Sequence, residues 1–255
     1  MELHYRTLGE GQPLLILHGI FGTSDNWQTF GKKLADDGYQ VFLIDQRNHG
    51  NSPHTDDFSY PVLSADIHGF IQQHHLEHPV ILGHSMGGKA ALFFAVTYPD
   101  LYDKIIVVDI APKAYPSRHD TILKAFSAVD IAHIQNRNEA EEQMKPYIAD
   151  VGVRQFLLKN LKRTDDGFAW KLNLPAIRKN MDKVMEGVPA NKTTDKPILF
   201  VRGENSDYIQ DEDEQAIREQ FSNARIITIP QAGHWVHAEQ PEPLYEAVTD
   251  FLKNG

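Results

Sequence analysis

Six short runs of apolar residues recur along the chain, and each is almost continuously hydrophobic rather than alternating with polar positions. Such runs are typical of strands that are covered on both faces. They are PLLILHG (13–19), YQVFLID (39–45), PVILG (79–83), KIIVVDI (104–110), KPILFVRG (196–203) and ARIITIP (224–230). Between most of these runs lie segments whose apolar residues have the spacing of a helix, at 27–37, 61–76, 88–97 and 210–221. A further segment of this kind is found at the end, at 244–254. This alternation predicts an α/β fold with a mostly parallel sheet, and LHYRTLGEG (3–11) predicts an edge strand in a hairpin.

One long stretch breaks this alternation, because no convincing strand lies between Asp109 and Lys196. It predicts helices instead, around 117–128, 137–149, 151–162 and 173–186. Prolines stand at its entry and near its exit, as is common at segment boundaries. We therefore expect a core domain formed by residues 1–111 and 196–255, with residues 112–195 inserted as a helical cap, or lid.

Composition and charge exclude several classes of function. The chain of 255 residues has no cysteine, so it has no disulfide, thiolate nucleophile or thiolate metal site. A formal net charge of −10 disfavours nucleic acid as a partner. No apolar run approaches the roughly 20 residues of a membrane span. The first residues, MELHYRTLGEGQ, lack the pattern of a signal peptide, so we expect a cytoplasmic protein.

A serine stands at a glycine-flanked corner between a predicted strand and a predicted helix, in the sequence GHSMGG (83–88). A tight turn of this kind needs small residues two positions either side of the serine, which are Gly83 and Gly87 here. The turn raises the Ser85 hydroxyl above the carboxyl edge of the sheet, where open α/β sheets bind ligands. Because a serine hydroxyl is a weak nucleophile, it needs a base and a group that orients the base. His234, in the loop AGHWVHAEQPE after the last predicted strand, can supply the base.

The motifs HGIFG, DQRNHGNS, GHSMGG and GHWVHAEQPE together resemble the α/β-hydrolase superfamily over essentially the whole chain. The longer strings LHGIFGTSDNW, DQRNHGNSP, GHSMGGKA, VVDIAP and GHWVHAEQP resemble the YbfF/ABHD11-type esterases of that superfamily. The resemblance implies an eight-stranded central sheet with a lid inserted after the sixth strand. It also implies hydrolysis of carboxylic esters or thioesters through an acyl-enzyme, with no cofactor. The sequence contains no H-E-x-x-H motif, so we expect no metal site.

The resemblance assigns roles to particular residues. Ser85 is the expected nucleophile, and His234, rather than His237, is the expected general base. The Met86 N–H is expected to form one arm of the oxyanion hole, and the N–H of Ile20 or Phe21 the other, with the family's spacing favouring Ile20. Apart from the resemblance, we expect His84, Trp27, Phe126 and Trp235 to bind substrate. Phe21, Phe156 and Trp170 are further candidate pocket aromatics, and each of these aromatic side chains could equally belong to the hydrophobic core.

The acid that orients His234 has two candidates. Most of the superfamily places it after the next-to-last strand, where VRGENSDYI puts Ser206 at the usual position and Asp207 one residue beyond. The other known location follows the sixth strand, where VVDIAP offers Asp109. A carboxylate at the end of a buried apolar run is costly unless it is paired, and a histidine partner would remove that cost. We therefore favour Asp109 and keep Asp207 as the alternative.

The substrate and two rival functions remain open at this level. Residues 112–196 carry 15 lysines and arginines against 11 aspartates and glutamates, a formal +4, whereas the rest of the chain carries −14. Such a cap either attracts an anionic substrate or only carries solvated surface charge. A non-catalytic receptor or scaffold of the same fold is one rival, and an acyltransferase or perhydrolase with the same triad is the other. The retained serine and histidine favour an enzyme.

Overall fold

A computed structural model describes the whole chain, residues 1–255, and shows a seven-stranded sheet in the order β1-β3-β2-β4-β5-β8-β9. All neighbouring strands are parallel except β1, which runs antiparallel to β3 at one edge. The strands of this sheet are β1 (Tyr5–Leu8), β2 (Gln12–Leu17), β3 (Tyr39–Ile44), β4 (Val80–His84), β5 (Ile105–Val108), β8 (Ile198–Gly203) and β9 (Ala224–Ile229). The fold is the predicted α/β-hydrolase arrangement, with helices on both faces of the sheet.

The continuous apolar runs are explained by burial on both faces of the sheet. Within β2, Leu15 and Leu17 pack into the hydrophobic core on one face, whereas Leu14 and Ile16 pack into the core on the other. Helices α2 and α3 contribute to the first core, and α1 and α11 contribute to the second. The helices are α1 (Gln28–Asp36), α2 (Tyr60–Gln73), α3 (Met86–Thr97), α4 (Asp120–Ala128), α5 (Arg137–Met144), α6 (Val151–Leu158), α7 (Leu174–Lys179), α8 (Met181–Met185), α9 (Asp213–Gln220), α10 (Val236–Glu239) and α11 (Pro241–Asn254).

The sheet has seven strands where the resemblance implied eight. One four-residue strand, β1, precedes β2, and the two do not form the expected hairpin, because β3 lies between them. Tyr5 pairs with Ile44 instead. The glycine turn after β1, where Gly9 and Gly11 have φ of 69° and 116°, leads the chain past β3 to the start of β2. The long insertion consequently follows the fifth strand of this chain rather than the sixth.

Residues 112–195, called the inserted segment below, connect two strands that are hydrogen-bonded neighbours, since Ile105 of β5 pairs with Ile198 of β8. The segment contains helices α4 to α8 and a two-stranded hairpin, β6 (Leu161–Thr164) and β7 (Gly167–Trp170). The hairpin was not expected, because a helix was predicted over 151–162. No helix of the protein combines the length and the apolar character needed to cross a membrane.

Candidate active site

Ser85 occupies the sharp corner between β4 and α3, with φ of 51° and ψ of −117°. This backbone conformation is unfavourable for a residue with a side chain. The backbone segments at this corner approach so closely that they leave no room for side chains at Gly83 and Gly87. A Cβ on Gly83 would lie 2.3 Å from the backbone of Gly87, and a Cβ on Gly87 would lie 2.4 Å from the carbonyl oxygen of Leu17. The two glycines are therefore required by the packing of helix α3 on the sheet.

His234 lies in the loop between β9 and α10, and it bridges Ser85 and Asp109. Its Nε2 is 3.0 Å from the Ser85 hydroxyl oxygen, and its Nδ1 is 2.8 Å from Asp109 Oδ2. A carboxylate only accepts, so Nδ1 carries the proton and Nε2 is free to accept from the serine. The Tyr208 ring stacks on the imidazole with centroids 3.9 Å apart, and His84 Nε2–H donates to the His234 carbonyl at 2.8 Å. The His234 imidazole is therefore held by stacking on one face, and the backbone of His234 is held by the hydrogen bond from His84.

Asp109 follows β5 directly, has φ of 53°, and is completely buried. Its Oδ1 accepts a hydrogen bond from the Gly203 N–H at 3.0 Å, and its Oδ2 accepts from the Ser206 hydroxyl as well as from His234. Three donors thus compensate the loss of water around this carboxylate. Ser206 stands at the position where most of the superfamily has its acid, and our sequence reasoning did not assign it this role. The only signal in the sequence was that a hydroxyl, which can donate a hydrogen bond to a carboxylate, stands where the acid usually does.

The alternative acid, Asp207, points away from the histidine. Its side chain is 65% exposed and forms an ion pair with Arg118 at 2.6 Å. Tyr208, the next residue, is the one that contacts His234 from this loop. The structure therefore brings Asp109 to His234 and leaves Asp207 at the surface.

The three candidate oxyanion-hole N–H groups differ in whether they are already used. The Phe21 N–H donates to His49 Nε2 at 3.2 Å, which excludes Phe21 as an arm of the hole in this structure. The Ile20 and Met86 N–H groups have no hydrogen-bond partner within the protein. Met86 is the first residue of α3, where backbone N–H groups have no acceptor within the helix. His18 supports the turn from below, with Nδ1–H donating to Gly19 O and Nε2 accepting from the Gln46 N–H.

Ser85 opens into a cavity of about 170 Å³. Five of the expected pocket residues line it, beside the expected base His234: Phe21, Trp27, His84, Phe156 and Trp235. Phe126 and Trp170 do not line it, because Phe126 packs behind Phe21 at 5.5 Å and Trp170 packs against Phe126 at 4.9 Å. The sequence reasoning also missed the side chains that the inserted segment and the Asp207 loop contribute to the wall: Arg118, His119, Ile122 and Tyr208.

Three more histidines near His234 are neutral near pH 7, and of these His84 and His119 are buried and His237 is half-buried. Burial lowers the pKa of His237 to about 3 and that of His119 to about 4, and it lowers the pKa of His84 well below its usual value. His237 stacks on Trp27 at 4.3 Å and makes no hydrogen bond to Ser85. His234 is therefore the histidine that is placed to exchange a proton with the serine.

Comparisons with known proteins identify the family of this chain. A family model described as the alpha/beta hydrolase fold matches residues 12–241. The sn-1-specific diacylglycerol lipase ABHD11 of Mus musculus is 39% identical over 94% of this chain and 80% of its own length. Esterase YbfF of Escherichia coli is 35% identical over 95% of this chain and 93% of its own length. A solved structure titled "Marine microorganism esterase" is 45% identical, covers 98% of this chain and 99% of its own, and superposes with a TM-score of 0.95. The chain therefore belongs to the α/β-hydrolase family and, within it, resembles the YbfF- and ABHD11-type esterases.

Proposed function

We propose that this protein is a serine hydrolase that cleaves carboxylic esters through an acyl-enzyme on Ser85. The observation that carries the proposal is the continuous series of hydrogen bonds from Ser85 through His234 to Asp109. Ile20 and Met86, whose backbone N–H groups have no partner within the protein, line a cavity together with Ser85. The esterase and lipase names of the relatives support the same reaction class.

The first half of the reaction forms the acyl-enzyme. His234 Nε2 accepts the Ser85 proton while the serine oxygen attacks the ester carbonyl carbon. The carbonyl oxygen becomes an oxyanion and accepts hydrogen bonds from the Ile20 and Met86 N–H groups. The C–O bond to the alcohol then breaks, and His234 donates its proton to the departing alkoxide. The acyl group remains on Ser85.

The second half regenerates the enzyme. Water gives a proton to His234 Nε2 and attacks the acyl carbonyl, and the bond to Ser85 breaks as the serine recovers a proton. Asp109 holds the Nδ1 tautomer and stabilises the imidazolium that forms in each half. Gly203 and Ser206 keep the carboxylate oxygens in place for that role.

Thioester hydrolysis would use the same steps, and it stays a prediction from the sequence. The argument for an anionic substrate is weakened by ion pairs that join the inserted segment to the rest of the chain. They are Lys113–Asp213 at 2.7 Å, Arg118–Asp207 at 2.6 Å and Lys171–Asp25 at 3.9 Å. Neutral esters are therefore the substrates that we propose first.

A panel of p-nitrophenyl esters with purified protein tests the proposal. We expect turnover of the acetate and butyrate esters that is unchanged by a chelator. Ser85→Ala should lower kcat by several orders of magnitude, since removal of the serine costs roughly 10⁶-fold in a model serine protease. Undiminished turnover in Ser85→Ala would overturn the proposal. Transfer of the acyl group to an added alcohol or to hydrogen peroxide in preference to water would instead indicate an acyltransferase or a perhydrolase.

A further inference from the structure

Two cavities meet at Ser85, and they lie against different parts of the catalytic machinery. The larger one, of about 170 Å³, is lined by His234, Trp235 and His237. The smaller one, of about 20 Å³, is lined by Met86 and Lys89 and not by His234. Five residues line both cavities and mark the place where they meet: Ile20, Ser85, Arg118, His119 and Tyr208.

The proton transfers assign one part of the ester to each cavity. The oxygen of the departing alcohol must reach Nε2 of His234, because that nitrogen protonates it. The alcohol part therefore lies in the larger cavity, on the side of His234. The acyl chain extends from the other side of the carbonyl carbon, toward Met86 and the smaller cavity.

The smaller cavity has room for only one or two water-sized groups, since about 10–15 Å³ measured in this way is needed for one water molecule. Four buried side chains form its apolar walls, with Met185 beside them: Tyr60, Ile110, Tyr115 and Val184. Lys89 lies deeper on α3 and is 1% exposed. Its ammonium donates to the carbonyl oxygens of Lys113 at 3.0 Å and Glu186 at 2.9 Å. A long apolar chain would have to displace these groups.

The alcohol side is open by comparison. The larger cavity adjoins a groove of about 630 Å³, and the two share Asn26, Phe156, Trp235 and His237 as walls. The Phe156 and Trp235 rings lie 5.8 Å apart at this junction and offer an apolar surface. A bulky alcohol can therefore extend from Ser85 into the groove.

We infer that this protein prefers esters of very short acyl groups, acetyl or propionyl, with large apolar alcohols. The inference rests on the proposed function, and it adds which side of the ester can be long. It predicts a selectivity opposite to that of an enzyme that removes long acyl chains from a small alcohol.

Octyl acetate and ethyl octanoate test this inference directly, because they are isomers that differ only in which side of the ester is long. We expect kcat/KM for octyl acetate to exceed that for ethyl octanoate by at least about tenfold, within the range that pocket fit supplies. Equal values, or a preference for ethyl octanoate, would overturn the inference while leaving the esterase proposal intact. So would turnover of p-nitrophenyl acetate with none of octyl acetate. Absence of turnover with all three esters would instead count against the proposed function.

Two methionines on helix α8 provide a matched pair of variants. Met185 lines the smaller cavity, whereas Met181 is buried nearby and lines neither cavity. Met185→Ala should enlarge the acyl site and raise the ratio of ethyl octanoate to octyl acetate turnover by about threefold or more. Met181→Ala should leave that ratio unchanged, and thermal unfolding of both variants checks that they fold. An unchanged ratio in folded Met185→Ala, or an equal change in both variants, would contradict the assignment of the acyl group to this cavity.

Discussion

Asp109 illustrates how single side chains determine this site. It is fully buried, yet its two carboxylate oxygens accept hydrogen bonds from Gly203, Ser206 and His234. The cost of burying the charge is thereby offset by donors at the end of β8 and in the loops that follow β8 and β9. Removing the charge while keeping the shape of the side chain separates its electrostatic role from its packing.

We expect Asp109→Asn to lower kcat/KM severely, by about 10⁴-fold if it follows the corresponding change in a serine protease, because the amide would hold the wrong histidine tautomer. Asp207→Asn should change kcat/KM by less than about threefold, because an exposed ion pair contributes little. Steady-state kinetics on p-nitrophenyl acetate measure both. If Asp207→Asn is the crippling change and Asp109→Asn is mild, the acid has been assigned wrongly.

The sequence could predict the residue types of the site but not every contact. Ser85 and His234 are marked by local motifs, since the glycines and the strand–helix pattern surround them. The choice between Asp109 and Asp207 depends on where the loop after β8 turns, and the sequence left both open. The use of the Phe21 N–H by His49 depends on a contact between residues 28 positions apart, which no local pattern indicates.

At the scale of elements, the corner between β4 and α3 is the feature on which the site depends. Helix α3 packs so closely that Gly87 touches the backbone of β2, and the Ser85 N–H is fixed by a 2.9 Å hydrogen bond to Val108 O of β5. Three strands thus position the nucleophile: β4, which precedes it, and β2 and β5, which contact the corner. A side chain added at the corner must move the helix.

We expect Gly87→Ala to lower the free energy of unfolding by more than about 2 kcal/mol, because its methyl group would overlap backbone atoms that cannot move aside. Esterase activity should fall as well, since a shift of the helix misplaces Ser85. Gly69→Ala is the control, because a Cβ there meets no neighbour and lies within α2. It should stabilise the protein by about 0.5–1 kcal/mol. Urea unfolding measures both, and equal effects would contradict this description of the corner.

The elements that the sequence predicted well are those buried on both faces, such as β2, β4 and β5. The inserted segment was predicted less well, because its structure depends on distant contacts. The expected helix over 173–186 is divided at Asn180, whose side-chain amide donates to Asp56 O and Ala176 O at 2.9 Å each. The expected helix over 137–149 ends at Met144, just before Pro146.

At the scale of the whole molecule, the site exists only where the inserted segment lies against the rest of the chain. The Asn160 amide donates to Phe21 O at 2.7 Å, and the Asn173 amide donates to Asn48 Oδ1 at 3.0 Å. Two residues of the same segment, Arg118 and His119, line the cavity together with Ser85 and His234. Substrate selectivity is therefore expected to depend on the segment, and the chemical step on the sheet edge.

The buried histidines make the stability of the whole fold sensitive to acid. Burial lowers the pKa of His49 and His237 to about 3, whereas unfolded histidine titrates near 6.5. The unfolded chain therefore binds more protons as pH falls below 6.5, and stability decreases down to about pH 3. At about pH 5 each such histidine should cost about 2 kcal/mol of unfolding free energy.

Urea unfolding at about pH 7.5 and pH 5 measures this loss. His237→Phe should make the loss smaller by about 2 kcal/mol, because it removes one group that must stay neutral on folding. His133→Gln, at an exposed position, should leave the loss unchanged. The account of the buried histidines would be contradicted if the free energy of unfolding were the same at both pH values, or if His237→Phe had no effect on the difference.

Covalent labelling tests whether Ser85 is the residue that becomes acylated. Treatment with diethyl p-nitrophenyl phosphate, followed by peptide mass spectrometry and residual-activity assays, measures where the protein reacts and whether that reaction stops turnover. We expect one diethylphosphoryl group per chain on Ser85, loss of esterase activity in proportion to labelling, and no label on Ser85→Ala. Full activity in a chain that is labelled at Ser85, or hydrolysis that continues at the wild-type rate in Ser85→Ala, would contradict the account.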